Sequence, residues 1–181
     1  MALDDVRGTL PAYAKDIKLN LGSVLETSTL TPTQTWGTAL ACAFASRNAA
    51  LLRSVATEAG KHLSAEVIEA AKGAAAIMAM NNIYYRAKHL IGDDEYVSMP
   101  ARLRMQIIAT APRDSGVDKV DFELWCVAVS AVTGCGACLE SHEKAVRNAG
   151  LTRDQVHESL RIAGVIHAAA VVLDAEAALQ G

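Results

Sequence analysis

Three residues within the nine-residue stretch Gly134 to His142 (GCGACLESH) have the side chains for chemistry: Cys135, Cys138 and His142. Their spacing is i, i+3, i+7. On a helix advancing about 100° per residue, all three fall within an arc of about 60°. Side chains lean toward a helix's N-terminus, so His142 leans back over Cys138 one turn below. An imidazole there can take the thiol's proton and leave a thiolate. Cys135 falls in the first turn after Gly134, where unpaired N–H groups and the positive end of the helix dipole favour an anion. Both cysteines thus have a reason to be more acidic than a free thiol. Residues at i and i+3 place their Cβ atoms about 5–6 Å apart, and a disulfide wants about 3.5–4.5 Å. A bridge would need a slight adjustment of the first turn, and a mildly strained bridge is readily reduced.

The preceding segment, Phe122 to Val132 (FELWCVAVSAV), is apolar nearly all round and reads as buried. Its only polar side chains, Glu123 and Ser130, are seven residues apart and share one face. A buried carboxylate needs a partner. If Thr133-Gly134 folds the next helix back, Glu123 meets His142, orients the imidazole and stabilises its charged form. That completes a set of nucleophile, base and orienting group. The competing reading leaves Glu123 partly exposed in a first turn, satisfied by backbone N–H groups. A zinc-holding module is another alternative, with Cys135, Cys138 and His142 as three ligands and Glu123 as a fourth. Three ligands on one short helix face give poor tetrahedral geometry, which counts against it. Redox chemistry, metal binding and a chance cluster all stay open on spacing alone.

The elements that position these residues are expected to be helices throughout. Alanine supplies much of the 51% hydrophobic content, aromatics are 4%, and β-branched residues rarely alternate with polar ones. Alanine is the strongest helix former and lets helices pack closely, so the chain reads as all-α. Its 181 residues are one domain's worth of material, enough to bury a core without staples. Thr31-Pro32-Thr33-Gln34 is a capping box with proline at the first helical position, opening a helix to about residue 47. Ser64 opens another that runs to Gly92. Residues 92–101 read as a loop, 101–109 as a short helix, and 110–119 (TAPRDSGVDK) as a second loop. Asp121 caps a helix from Phe122 to Val132, the next starts at about Cys135 and stops near Gly150, and Thr152 with Gln155 opens the last, to about Leu179. Residues 31–92 and 121–179 look like two copies of one helical unit, and only the second carries the cysteine pair.

A net charge of −3 without a basic run argues against nucleic acid. The run Ile162 to Leu173 is too short to span a bilayer and His167 interrupts it, so no membrane partner is expected. With no secretory pattern at the N-terminus the protein is expected in the cytoplasm, where a close cysteine pair is more often catalytic or metal-binding than structural. Cys42 and Cys126 sit in apolar runs and read as small buried hydrophobes. His167 reads as a core histidine. Asn81, Asn82, Tyr84 and Tyr85 read as polar positions suited to a subunit contact.

Glu123, Ser130, Cys135, Cys138 and His142 form the pattern E-x6-S-x4-C-x2-C-x3-H. It resembles the carboxymuconolactone decarboxylase/AhpD-like superfamily, in its AhpD-type alkyl hydroperoxide reductase branch. Five further blocks carry the resemblance across nearly the whole chain: LPAYAKDIKLNL, QTWGTALA, GAAAIMAMNNIYYRA, RLRMQIIA and FELW. The resemblance implies an all-helical subunit of a homotrimer and a lipoyl-dependent peroxidase with no bound cofactor or metal. Electrons would come from dihydrolipoamide on a 2-oxo acid dehydrogenase component recharged by dihydrolipoamide dehydrogenase, and could pass on to the peroxiredoxin AhpC. It implies a redox disulfide between Cys135 and Cys138. Cys138 is then the thiol oxidised to sulfenic acid, Cys135 the more exposed resolving partner, His142 and Glu123 the proton relay, and Ser130 a supporting group. Position in the helix favours Cys135 as nucleophile instead, so which sulfur meets peroxide is open. A relative carries Ser-His where Gly136-Ala137 stand here, so one polar group is missing. A carboxymuconolactone-decarboxylase-like enzyme is the alternative within the superfamily.

Overall fold

The computed structural model describes Leu3 to Gln180. Among the described residues there are helices and no strands: α1 Leu3–Thr9, a 3-10 turn Ala12–Ala14, α2 Lys15–Glu26, α3 Pro32–Ser46, α4 Ala49–Ala59, α5 Ala65–Ile91, α6 Asp94–Ser98, α7 Ile107–Ser115, α8 Lys119–Thr133, α9 Gly136–Asn148 and α10 Arg153–Gln180. The all-α expectation is met. The succession α3, α4, α5 has lengths of 15, 11 and 27 residues, and α8, α9, α10 has 15, 13 and 28.

The helix starts follow local chemistry. Thr31 accepts from the Gln34 N–H while the Gln34 side chain accepts from the Thr31 N–H, the reciprocal capping box. Thr152 and Gln155 do the same before α10. Ser64 caps α5 and Asn48 caps α4 through their side-chain oxygens.

Three expectations about elements are corrected. The 92–101 loop contains the short helix α6, whose cap is Asp93. The short helix expected at 101–109 begins instead at Ile107 and runs through much of the stretch read as loop, ending at Gly116 with φ 71°. Pro112 lies inside it. The helix survives the lost N–H because Pro112 is buried and α7 packs on α5, with Ile107 against Gly73. Asp121 does not cap α8, because that helix starts at Lys119 with Asp118 before it. Asp121 is buried and accepts from Gln34 Nε2 at 2.7 Å, tying α8 to α3.

α8 is the central element. It packs against α3, α5, α7, α9 and α10, and Phe122, Leu124, Trp125 and Val129 are inaccessible. The core is one connected cluster drawing on helices from α1 to α10. α10 is long and apolar enough to cross a membrane by length and composition, which the window ending at Leu173 did not anticipate; here it packs along α2, α3 and α8. His167 is exposed rather than in the core, and its Nδ1 meets Ser46 Oγ at 3.2 Å.

Candidate active site

The joint between α8 and α9 is built by a glycine turn, two backbone hydrogen bonds and a cysteine cap. Gly134 adopts φ 71°, the left-handed conformation glycine takes without a Cβ penalty. Its N–H donates to the Ala131 carbonyl and the Cys135 N–H donates to the Ser130 carbonyl at 3.0 Å, a Schellman closure of α8. Cys135 then occupies the N-cap position of α9. Its Sγ accepts from the Cys138 N–H at 3.3 Å, where serine or aspartate would ordinarily present oxygen. Cys138 Sγ donates to the Asn81 carbonyl on α5 at 3.9 Å.

His142 stands one turn beyond Cys138 on α9. Its Nδ1 meets Glu123 Oε2 at 2.6 Å, and both side chains are largely shielded, with 14% and 12% of their surface accessible. A carboxylate on Nδ1 fixes the neutral imidazole with its proton there and leaves Nε2 as the acceptor. The structure therefore brings Glu123 and His142 into contact. Ser130 is not part of that contact. Its Oγ donates to Asn82 Oδ1 at 3.1 Å and lies 3.7 Å from Met78 Sδ, both on α5.

Two properties of the cysteines differ from expectation. Cys135 is not the more exposed of the pair: it is 0% accessible and Cys138 5%. The Schellman turn tucks Cys135 inward while Gly134 and Gly136 on either side are exposed. Cys138 is not more acidic than a free thiol. Burial above all, then the hydrogen bond to Cys135 and the charge there, push it up to about 12, while Arg86 pulls the other way. All four cysteines are free thiols. Burial raises Cys42 and Cys126 as well, and Cys126 also feels Glu123 and Cys138. Among the described residues no three His, Cys, Asp or Glu side chains converge as a metal site requires.

Sequence reasoning missed the contribution of α5. Asn82 Nδ2 donates to Thr133 Oγ1 at 2.6 Å, and Arg86 donates to the Thr133 carbonyl. Asn81 and Asn82 are therefore buried inside the chain, not held out for a subunit contact. The available signal was the polar pair Asn82 and Arg86 at i, i+4, just after the apolar run Gly73 to Met80, which puts both on one face.

Residues 94–181 match the model of the carboxymuconolactone decarboxylase family. The whole chain is similar to curated relatives named alkyl hydroperoxide reductase AhpD. The one from Rhodospirillum centenum is 52% identical over 181 residues, covering 100% of this chain and 95% of the relative. The one from Streptomyces griseus is 54% identical over 179 residues, 99% of each chain. That of Brucella canis is 47% identical over 175 residues, 97% of this chain and 98% of the relative.

Proposed function

We propose, because the chain belongs to the alkyl hydroperoxide reductase AhpD family, that it is an oxidoreductase that reduces organic hydroperoxides through the dithiol of Cys135 and Cys138. The observation that carries the reading is the Glu123–His142 contact one turn above Cys138. A thiol held at about 12 is almost wholly protonated near neutral pH, so attack by its sulfur requires a base. His142 Nε2 is the acceptor that Glu123 leaves available.

His142 takes the Cys138 proton, and the thiolate attacks the outer oxygen of the hydroperoxide. The O–O bond breaks as the S–O bond forms. The departing alkoxide takes a proton from the imidazolium and leaves as alcohol, and Cys138 becomes a sulfenic acid. The Cys135 thiol, aligned by its bond from the Cys138 N–H, then attacks that sulfur. Water leaves and the Cys135–Cys138 disulfide closes. A dihydrolipoyl group reduces the disulfide by two electrons and two protons and becomes the cyclic disulfide. The sum is hydroperoxide plus dihydrolipoyl giving alcohol, water and lipoyl.

In this reading Cys138 meets peroxide and Cys135 meets the reductant, which reaches it past the exposed glycines. The donor is dihydrolipoamide on a 2-oxo acid dehydrogenase component, recharged by dihydrolipoamide dehydrogenase. AhpC is a second electron acceptor, the assembly is a homotrimer, and the setting is the cytoplasm. Ser130 supports the site indirectly, by fixing the joint through its carbonyl and its bond to Asn82. The test is consumption of an alkyl hydroperoxide with dihydrolipoamide as donor. Turnover no higher than that of a Cys138→Ser control would sink the proposal.

A further inference from the structure

Arg86 reaches from α5 to the joint between α8 and α9. Its Nη1 donates to the carbonyl of Thr133, the last residue of α8, and lies 4.0 Å from where a Cβ on Gly134 would sit. A neutral donor would satisfy that carbonyl equally well, and Asn82 already grips the same residue one turn earlier on α5. What a guanidinium adds is a permanent charge. That charge is half-buried at a cavity lined by the apolar Ile83, Val129 and Val132, where the other charged or titratable groups are Arg47 and His167 and none is a carboxylate. Among the described residues Arg86 forms no ion pair. A half-buried cation with no carboxylate partner is costly unless an anion forms nearby. The group that becomes an anion here is a thiol of the redox pair, two or five residues beyond the carbonyl that Arg86 holds.

We propose that the counter-charge of Arg86 is the thiolate of Cys138. On this reading Arg86 is a positioning residue that fixes the α8–α9 joint and lowers the cost of ionising Cys138 when His142 takes its proton. This rests on the proposed peroxidase cycle for its purpose, but its electrostatic content does not require peroxide. The pull of Arg86 on Cys138 runs toward the thiolate, opposing burial and Cys135.

The test is a thiol titration in the full chain carrying Cys135→Ser. Serine keeps an acceptor for the Cys138 N–H and removes the neighbouring thiol, whose own reaction with the reagent would overlap that of Cys138. Burial keeps the midpoint of Cys138 well above neutral pH, so the thiolate fraction is read below it: the rate of Cys138 alkylation by iodoacetamide is followed by mass spectrometry between about pH 7 and 9, with folding checked by helical circular dichroism. An opposite charge at close range shifts a thiol by about one unit or more. Arg86→Gln, which keeps a donor for the Thr133 carbonyl, is therefore expected to slow alkylation about tenfold at each pH. Arg86→Met does the same if it folds, and Arg86→Lys leaves the rate near that of the Cys135→Ser parent. Equal rates for Gln, Lys and the parent would overturn the proposal. So would equal slowing in Gln and Lys, because side-chain shape would then matter and charge would not. A chain that failed to consume peroxide yet gave the expected slowing would refute the peroxidase and leave the role of Arg86 standing.

Discussion

At the scale of residues, the role proposed for the Glu123–His142 pair divides between position and charge. The 2.6 Å contact sets which imidazole nitrogen is left to accept a proton, and in the proposed cycle the carboxylate would stabilise the imidazolium that forms. Glu123→Gln keeps a polar group of the same length at Nδ1 but not its charge. It is expected to slow peroxide turnover by about 10-fold or more, and His142→Phe by about 100-fold. Single-turnover kinetics of sulfenic acid formation on Cys138 measure both, and parent rates in Glu123→Gln would return Glu123 to a packing role. The pair could be read in the sequence because a carboxylate in an apolar helix announces a buried partner, and the histidine lies just past a glycine break. The true exposure of Cys135 could not be read, because it depends on a Schellman turn whose closure is set by two backbone bonds to Ser130 and Ala131. Nor could the acidity of Cys138. The argument from His142 counts the neighbouring imidazole but not the burial that α5 imposes from 57 residues away in sequence.

At the scale of elements, α8 must lie in one place for Glu123 and the joint to meet α9. The packing of α3 holds it there. A Cβ built on Gly37 would come within 2.2 Å of the Trp125 ring, and that ring is wholly inaccessible and has nowhere to move. Gly37→Ala therefore forces α3 and α8 apart. Overpacking of a filled core costs about 1–3 kcal/mol, set against the small helix-propensity gain of alanine over glycine. The expected outcome is a lower urea midpoint at equal slope, and an unchanged midpoint would contradict the close approach. Helix starts were legible wherever a side chain caps a backbone, as at Thr31, Ser64 and Thr152. They were illegible where tertiary contact overrides the local signal. Pro112 and Gly116 suggested a loop, but burial of Pro112 and the seat of Ile107 on α5 keep α7 helical to Ser115. Asp121 looked like a cap and is a cross-link to Gln34 instead. Arg86 and Asn82 were visible as an i, i+4 pair, but what they grip is a matter of packing that no helix period contains.

At the scale of the whole molecule, the apolar surface is unevenly distributed. Leu90 and Ile91 at the end of α5, Tyr96 and Val97 on α6, and Met99 and Leu103 beyond it are all exposed. Lys88 Nζ donates to the Met99 carbonyl at 2.8 Å, folding this segment back beside the end of α5. Six large apolar side chains within fourteen residues of chain thus occupy one lobe. Surface of that kind marks a contact with another chain, and the proposed homotrimer gives it an occupant. Each copy would bury the lobe against a neighbour at an interface of about 1,000 Å² or more. Light scattering on a gel-filtration column is expected to give three times the 19.1 kDa of the chain. Leu90→Glu together with Val97→Glu places two charges in the lobe and is expected to reduce that mass to one chain, with helical content kept because both positions face solvent within the subunit. A parent protein that elutes as a single chain would refute the trimer. A double variant that stays at three chains would move the interface to another face, with the exposed side of α10 around Val171 the next surface to charge.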